Sequence, residues 1–396
     1  MPTDGDGAVA SPRMTDSLKL KPGPSPRVLK GHPWVYANEV AKLLPAESNG
    51  QVVELRDARG RYLGSGIYNG RSQIVWRRLS RDRVELDAAF LETRLAEAIA
   101  RRKPDTARRL VWAEADGLPG LVVDQFGEVL VVQILTAGMD RVQPLIAECL
   151  LKLLKPADIV FRNDAPTRRL EGLELGVLTH SGERAGATWF ALDGIEYFVD
   201  LQAGHKTGFY LDQREQHKLV ASYAAGKRVL DGCCHQGGFA LHCAKAGAAS
   251  VLAVDISEDC IQTARLNAGK NQLSIDFAAM NLFDWFTENR EASFDLIVLD
   301  PPSFARSKKS LDGALRGYKE LNLRAMRMLS PGGILATYSC SQNVTSAMFH
   351  DVLAEAAADA RREAIVLHET GQPADHPVLL TMSESHYLKG AILELR

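Results

Sequence analysis

The sequence has no long apolar run. None of its 396 residues belongs to a stretch close to the ~20 apolar residues that a membrane-spanning helix needs. The amino terminus also lacks the apolar core of a secretion signal, because residues 1–17 are rich in Gly, Pro, Asp and Ser. We therefore predict a disordered leader at residues 1–17 and a cytoplasmic protein without a membrane segment.

Cysteine is scarce and is not arranged to bind metal. No Cys-x-x-Cys pair or Cys/His cluster has zinc-finger spacing, and adjacent cysteines rarely bind one metal. We predict no structural metal and, without a secretion signal, reduced thiols. The six cysteines are Cys149, Cys233, Cys234, Cys243, Cys260 and Cys340.

Net charge is low, at −2, but it is unevenly distributed. Residues 1–110 contain 20 Lys and Arg against 13 Asp and Glu, whereas residues 111–396 contain 27 against 36. A basic amino-terminal third on an acidic body suits a module that binds a polyanion such as nucleic acid. The alternative is that Arg is simply a common surface residue here.

Residues 18–82 predict a small β domain, because short apolar runs are separated by turn signals such as Asn49-Gly50 and Asn69-Gly70. Aromatic rings and cations together are typical of binding to unstacked RNA bases. For Trp34 we favour a place in the core of a small barrel. The candidate RNA-binding residues are Lys30, His32, Trp34, Arg77 and Arg78.

The rest of the chain predicts two further domains. Residues 83–200 read as an α+β domain with helices near residues 88–102 and 142–154. From residue 201 to residue 396, short apolar strands alternate with helices, which predicts an α/β fold with a parallel doubly wound sheet.

A glycine-containing turn, residues 231–238, follows the first strand of that sheet. It matches neither the GxGxxG dinucleotide pattern nor a phosphate-binding loop, which disfavours NAD and ATP. Asp255 ends the next strand, where an acid is placed to bind ribose hydroxyls, although it could instead cap a helix. Asn281-Leu282 follows a third strand and could border an adenine ring, with helix capping as the alternative for Asn281. With Asp300-Pro301-Pro302 after the fourth strand, the pattern resembles class I S-adenosylmethionine methyltransferases.

Two reactive side chains follow neighbouring strands about 40 residues apart, in Asp300-Pro301-Pro302-Ser303-Phe304 and Ser339-Cys340-Ser341. Methylation of cytosine carbon 5 needs a thiolate that adds to carbon 6, which suggests Cys340 as nucleophile and Asp300 as the acid that holds the base. Buried packing is the alternative for Cys340. Binding of an exocyclic amine is the alternative for Asp300, with Ser303 displacing the aromatic residue by one position.

The chain resembles the bacterial large-subunit ribosomal RNA 5-methylcytosine methyltransferases with an amino-terminal PUA domain. The resemblance is carried by residues 27–36, 114–120, 204–214, 237–240, 300–302, 316–319, 339–341 and 374–377. It implies a PUA domain, a central α+β domain and a Rossmann-like catalytic domain. It also implies ribosomal RNA or its precursor particle as partner.

The same resemblance implies Cys340 as nucleophile, Asp300 as its partner acid, and cofactor contacts from residues 206–214, the glycine turn and Asp255. The sequence departs from the family at Ser303, where Lys is frequent, and at residues 233–236. The oligomeric state stays open, a homodimer included. The candidate S-adenosylmethionine-binding residues are Tyr210, Asp212, Arg214, Asp231, Gly232, Cys233, Gly237, Gly238, Phe239, Asp255, Ile256, Asn281, Leu282 and Asp300.

Two other functions fit these residues. One is an amino-group base methyltransferase in which Cys340 is idle. The other is a ribosome-assembly factor that binds RNA and cofactor without turnover. The intact pair of Asp300 and Cys340 argues against the second alternative.

Overall fold

The computed structural model describes residues 16–23, 27–183, 186–202, 207–305 and 310–396. Their strands form three larger sheets and one hairpin, which follow one another along the chain. The predicted leader lies outside the described residues except for its last two, and Ser17 already begins the first strand. None of the described helices is long and apolar enough to cross a membrane.

The amino-terminal sheet has five short strands in the order β1-β3-β4-β5-β2. Its neighbours are antiparallel except for β1, which runs parallel to β3. Trp76 is fully buried in the core, and its indole N–H donates to the Val53 carbonyl at 3.2 Å. The strands are β1 (Ser17–Lys19), β2 (Trp34–Tyr36), β3 (Val52–Arg56), β4 (Tyr62–Tyr68) and β5 (Ile74–Ser80).

The central part of the chain forms a second five-stranded sheet, ordered β10-β9-β8-β7-β6, with helices packed on it. Helix α1 begins where the Asp87 carboxylate accepts a hydrogen bond from the Phe90 amide, as an N-cap does. The elements are α1 (Ala88–Ala100), β6 (Ala107–Trp112), β7 (Leu121–Phe126), β8 (Val129–Ile134), α2 (Ala137–Arg141), α3 (Gln143–Leu154), β9 (Asp158–Asn163) and β10 (Gly176–Thr179).

An antiparallel hairpin, β11 (Ala187–Leu192) and β12 (Ile195–Asp200), follows the central sheet. Its buried aromatic residues Phe190 and Tyr197 pack against Phe126 on one side and Phe209 on the other. The hairpin therefore joins the central part to the carboxyl-terminal part through a shared apolar core.

The carboxyl-terminal sheet has seven strands in the order β15-β14-β13-β16-β17-β19-β18. The first five are parallel, as predicted, and β19 runs antiparallel to both of its neighbours. The elements are α4 (Arg214–Ala221), β13 (Arg228–Gly232), α5 (Gly238–Lys245), β14 (Ser250–Asp255), α6 (Glu258–Lys270), β15 (Asp276–Ala279), α7 (Leu282–Glu288), β16 (Phe294–Leu299), α8 (Leu311–Met328), β17 (Leu329–Ser339), α9 (Ser346–Ala360), β18 (Ala364–Gly371) and β19 (Lys389–Leu395).

The strand order reverses at β13, which lies between β14 and β16. Ligands of open α/β sheets bind outside the carboxyl ends of the strands at such a reversal. The glycine turn after β13, Asp255 after β14 and Asp300 after β16 therefore lie around one crevice, with Cys340 after the adjacent β17.

Candidate active site

The turn between β13 and α5 is strained. Cys233, His235 and Gly237 have positive φ angles of 64°, 49° and 84°. For a non-glycine residue such a conformation costs about 1–3 kcal/mol and tends to persist at functional sites. This strained turn is the one at which the sequence predicts the cofactor to bind.

Two glycines of the turn are required by close packing. A Cβ atom on Gly238 would lie 2.5 Å from Nε2 of His217, and one on Gly232 would lie 2.6 Å from a methyl group of Leu282. Larger residues at either position would push α4 or α7 away from the turn. Packing alone therefore explains both glycines, whatever they contact in a ligand.

Asp231 is a buried carboxyl group at the end of β13. Its Oδ2 accepts a hydrogen bond from the Ala240 amide at 2.9 Å, and its Oδ1 has no hydrogen-bond partner among the described residues. Burial, together with the nearby charges of Asp300 and Asp255, raises the pKa of Asp231 to about 8. An unpaired buried carboxylate oxygen is costly, so Asp231 suits a positively charged ligand group.

Asp255 connects the ends of β13 and β14. Its Oδ2 accepts from the His235 amide and its Oδ1 from the Ser257 amide, each at 2.9 Å. The N-cap of α6 is Ser257, whose Oγ accepts from the Cys260 amide, so Asp255 does not have the capping role. These bonds fix the direction of the Asp255 carboxylate at the edge of the crevice.

Asn281, Leu282 and Ile256 differ in their surroundings. Asn281 caps α7, since its Oδ1 accepts from the Phe283 amide at 2.9 Å, and Leu282 is buried against Gly232. The Ile256 side chain, directly after Asp255, is 71% exposed, which is unusual for isoleucine.

Three cofactor-binding residues were predicted just before and at the start of α4, and the structure brings two of them to the crevice. Tyr210 packs edge-on against the His235 ring, with centroids 4.6 Å apart, and Asp212 accepts a hydrogen bond from the Tyr387 hydroxyl at 2.7 Å. The Arg214 guanidinium instead binds Asp105 at 2.7 Å and Asp193 at 3.2 Å, so this side chain holds the central sheet and the hairpin. Lys206, which the resemblance also implied, lies outside the described residues.

The Phe239 side chain belongs to the apolar core. It stacks on Tyr338 with centroids 5.3 Å apart and meets the His217 ring at 4.6 Å. A contact of Phe239 with the cofactor would have to come from its backbone. Cys233 is half-buried in the turn, and burial raises the pKa of its thiol well above the usual range, which makes it a poor nucleophile.

Asp300 and Cys340 lie at adjacent strand ends. The Asp300 amide donates to the Gly232 carbonyl at 3.3 Å, which fixes the acid beside the glycine turn. The Cys340 sulfur lies 4.0 Å from the Pro301 carbonyl oxygen, and the side chain is half-buried. The structure thus brings the two predicted reactive residues to one side of the crevice.

Ser341 connects the two turns that carry Asp300 and Cys340. Its buried Oγ lies 3.0 Å from the hydroxyl groups of both Ser303 and Tyr318 and accepts from the Ala305 amide at 3.3 Å. Ser303, where the family often has Lys, therefore helps to hold the turn. Phe304 packs on Tyr318, with centroids 4.7 Å apart, and lies against the core.

Cys340 opens into a cavity of about 500 Å³ between the central and carboxyl-terminal parts. Trp112 of β6 lines the same cavity, with the Arg109 guanidinium 4.6 Å from its ring. Arg109 is fixed by two hydrogen bonds to Asp124, of 2.8 and 2.7 Å. Other lining residues include Tyr210, Asp212, Ser303, Gln342, Asn343, His376 and Tyr387.

The 374–377 motif attaches the catalytic part to the central sheet. The Asp375 carboxylate accepts from the Arg109 amide at 3.1 Å and lies 2.7 Å from Nδ1 of His376. The His376 ring packs against Trp112 with centroids 5.5 Å apart. This contact helps to hold the Trp112 wall of the cavity opposite the catalytic sheet.

Most of the predicted RNA-binding residues of the amino-terminal sheet make contacts within the protein. His32 is buried against Glu384 at 3.1 Å, and the Trp34 indole donates to Glu114 at 2.7 Å. Arg77 binds Glu114 at 3.0 Å, and Arg78 donates to the carbonyls of residues 28 and 31. These side chains hold this sheet together or attach it to its neighbours, and Trp34, Arg77 and Arg78 are half-buried, whereas Lys30 is exposed. RNA binding by these residues stays a prediction.

Sequence reasoning missed the cavity residues Trp112 and Tyr387, and it missed Lys389 of β19, whose ammonium group bonds to the Ser341 carbonyl. No motif marked them, since they reach the site only through contacts between domains and through β19. Within the described residues, all six cysteines are free thiols, and no group of three or more His, Cys, Asp or Glu is arranged to hold a metal ion.

Fold and crevice together define a class I methyltransferase. Residues 177–391 match the model of the S-adenosylmethionine-dependent methyltransferase family, and residues 18–81 match a PUA-like domain. The methyltransferase match includes Asp231 of β13 and Asp255, the last residue of β14. The predicted α/β class and the predicted S-adenosylmethionine cofactor are thereby confirmed.

The chain belongs to the family of ribosomal RNA large subunit methyltransferase I. The protein of that name from Shewanella frigidimarina is 40% identical over 96% of this chain and 99% of its own length, and that from Aeromonas hydrophila is 38% identical over 97% and 100%. A solved structure of a putative methyltransferase from Streptococcus mutans shares the fold, with a TM-score of 0.81 at 21% identity over 96% of this chain and 99% of that one.

Proposed function

We propose that this methyltransferase modifies carbon 5 of a cytosine in large-subunit ribosomal RNA and that Cys340 is its nucleophile. The observation that carries the proposal is the meeting of Cys340 and Asp300 at adjacent strand ends, with Cys340 open to the cavity. The names of the relatives support large-subunit ribosomal RNA as the substrate.

The chemistry explains why a thiol is needed there. Addition of the Cys340 thiolate to carbon 6 of cytosine moves an electron pair onto carbon 5, which becomes nucleophilic. S-adenosylmethionine supplies the electrophilic methyl group. Loss of the carbon 5 proton to a base returns the electron pair to the ring and releases the thiolate, so Cys340 is regenerated.

Asp300 would hold the base during the addition. A carboxyl group in hydrogen-bond reach of N3 stabilises the charge that develops on the ring, a contribution of about 10²–10⁴-fold for a well-positioned group. The bond between the Asp300 amide and the Gly232 carbonyl, together with the two prolines that follow, fixes the backbone from which this side chain projects.

The cavity suits a base that has left its stack. An enzyme that acts on a base must extrude it into a pocket, where aromatic side chains stack on it. Trp112 and Tyr210 line the cavity beside Cys340, and Asp212, Gln342 and Asn343 supply polar groups at its wall. The central domain would then complete the substrate site that the catalytic sheet leaves open.

The cofactor would occupy the neighbouring crevice. The Asp255 carboxylate suits the ribose hydroxyls, Ile256 the adenine ring, and the unpaired Oδ1 of Asp231 the amino group. The strained turn between them brings backbone close to the ligand. We retain Tyr210, Asp212, Cys233, Gly237 and the Asn281-Leu282 pair as bordering residues and no longer propose a role for the Arg214 side chain.

Mass spectrometry of nucleosides tests this proposal. Large-subunit ribosomal RNA is incubated with labelled S-adenosylmethionine and the wild type, Cys340→Ala, or Cys149→Ala as a matched control in α3 of the central domain. We expect labelled 5-methylcytidine with the wild type and with Cys149→Ala, and none with Cys340→Ala. Label on another nucleoside, unaffected by Cys340→Ala, would favour amino-group methylation instead.

The packing of Phe304 already weakens that second function. An amino-group methyltransferase uses the aromatic residue of its acid-Pro-Pro turn to stack the target base. Here Ser303 intervenes, and Phe304 packs against Tyr318 and the core.

A further inference from the structure

Lys389, the first residue of β19, is a lysine that the proposed reaction has not used. Its side chain is only 5% exposed, although lysine is almost never buried without partners. The ammonium group donates to the carbonyls of Ser341 at 2.7 Å and Tyr387 at 2.8 Å. Those bonds bring a cation to the turn that carries Cys340.

Strand register explains how the two residues meet. In the antiparallel ladder between β17 and β19, Lys389 pairs with Ser339, the residue directly before Cys340. The lysine side chain then reaches along the strand to Ser341, the residue directly after Cys340. Backbone pairing between β17 and β19 therefore places the cation beside the turn that carries the thiol.

We propose that Lys389 is a positioning residue whose buried ammonium group stabilises the thiolate of Cys340. This rests on the proposed role of Cys340 as nucleophile. The thiolate is the reactive form of cysteine, and a neighbouring cation raises its population. No other bond is made or broken in this step: the thiol proton passes to solvent, and the ammonium group keeps its own.

Three other titratable groups of the described residues face Cys340, and none of them supplies a cation. Asp300 follows β16, Tyr318 projects from α8, and Tyr210 precedes α4; none of the three can be positively charged. Burial lowers the pKa of Lys389 to about 8, and the Cys340 thiolate opposes this by favouring the ammonium form. Lys389 is therefore mostly in its ammonium form at neutral pH, the form that stabilises the Cys340 thiolate.

Alkylation of Cys340 by iodoacetamide, followed across pH by mass spectrometry of its peptide, tests the proposal without methyl transfer. In Lys389→Met we expect the midpoint of the rate profile to rise by about one pH unit, so that alkylation at pH 7 falls roughly tenfold. Lys389→Arg should keep the wild-type midpoint, and Lys152→Met, a surface lysine of α3, should behave as the wild type.

Lys389→Gln separates charge from hydrogen bonding, because the amide keeps N–H donors for the two carbonyls. A raised midpoint in this variant supports the electrostatic role, whereas an unchanged midpoint in folded Lys389→Met and Lys389→Gln overturns it. If neither variant folds, the wild-type profile decides: a midpoint at or above the ~8.5 of a free thiol overturns the proposal. Failure of the Cys340→Ala prediction is a separate result, since it concerns methylation.

Discussion

The crevice has two halves that are assembled differently. The half predicted to hold the cofactor comes mainly from the ends of β13 and β14, residues 231–256, with the Asn281-Leu282 pair, Tyr210 and Asp212 at its border. The half that surrounds Cys340 draws on β6 of the central sheet, the turns after β16 and β17, and Lys389 of β19. Most residues of the predicted cofactor half are therefore close together in the chain, whereas the cavity at Cys340 depends on how the central and carboxyl-terminal parts pack.

Among the variants that test this comparison, a substitution of Asp300 should have the largest effect on the methylation rate. We expect Asp300→Asn to lower the rate of methylation roughly 10²–10⁴-fold, because the neutral amide cannot exchange a proton with the base. Single-turnover kinetics with bound cofactor measures the chemical step. Asp295→Asn, in the same strand but paired with Arg228 at its other end, is the matched control and should keep the wild-type rate.

Asp255→Ala should act on the cofactor half alone. Hydrogen bonds to a charged group contribute about 1.5–3 kcal/mol. Their loss should weaken S-adenosylmethionine binding by about 10- to 100-fold, as measured by calorimetry. Ser257→Ala removes the cap of the same helix and should cost about 1 kcal/mol of stability while cofactor affinity stays near the wild type. Equal loss of affinity in both variants would mean that Asp255 acts only through the fold.

The pH dependence of the apoprotein reports on Asp231. Its pKa in the folded state, about 8, lies above that of an ordinary aspartate, so the folded protein holds this proton more tightly than the unfolded chain. The contribution of this proton to the free energy of unfolding is complete below about pH 4 and is lost as the pH rises through 8. Thermal unfolding of wild type and Asp231→Asn should diverge in that window; parallel curves would contradict the assignment.

The smallest expected effects concern the amino-terminal domain, where they should separate side chains that bind RNA from side chains that hold the domain in place. Lys30→Ala should weaken RNA binding and reduce the slope of log affinity against log salt by about 1. Trp34→Phe, which removes the bond to Glu114, should lower stability and leave that slope unchanged. A reduced slope in Trp34→Phe would support RNA binding by this residue.

The sequence was sufficient for features that are local in the chain. The parallel strands, the turn after β13, and the acids at residues 231, 255 and 300 follow from runs and spacings within a few residues. Strands β18 and β19, which extend the sheet beyond β17, were not predicted from the sequence.

What could not be predicted depends on partners distant in sequence. His32, Trp34 and Arg77 have the composition of an RNA-binding surface, and only the folded chain shows that Glu384, Glu114 and Glu171 face them. Composition describes what a side chain is able to bind, whereas packing decides what it does bind. The same limit applies to Lys389, which pairs with Ser339, the residue before Cys340, about 50 positions earlier in the chain.

RNA in which the target cytidine is replaced by 5-fluorocytidine tests the covalent mechanism most directly. Fluorine at carbon 5 cannot leave as a proton does, so the enzyme should stay attached after methyl transfer. We predict a stable protein–RNA adduct whose crosslinked peptide carries the nucleotide on Cys340, and no adduct with Cys340→Ala. Methylation of normal RNA without any adduct on the fluorinated RNA, or an adduct on another cysteine, would contradict the assignment of Cys340.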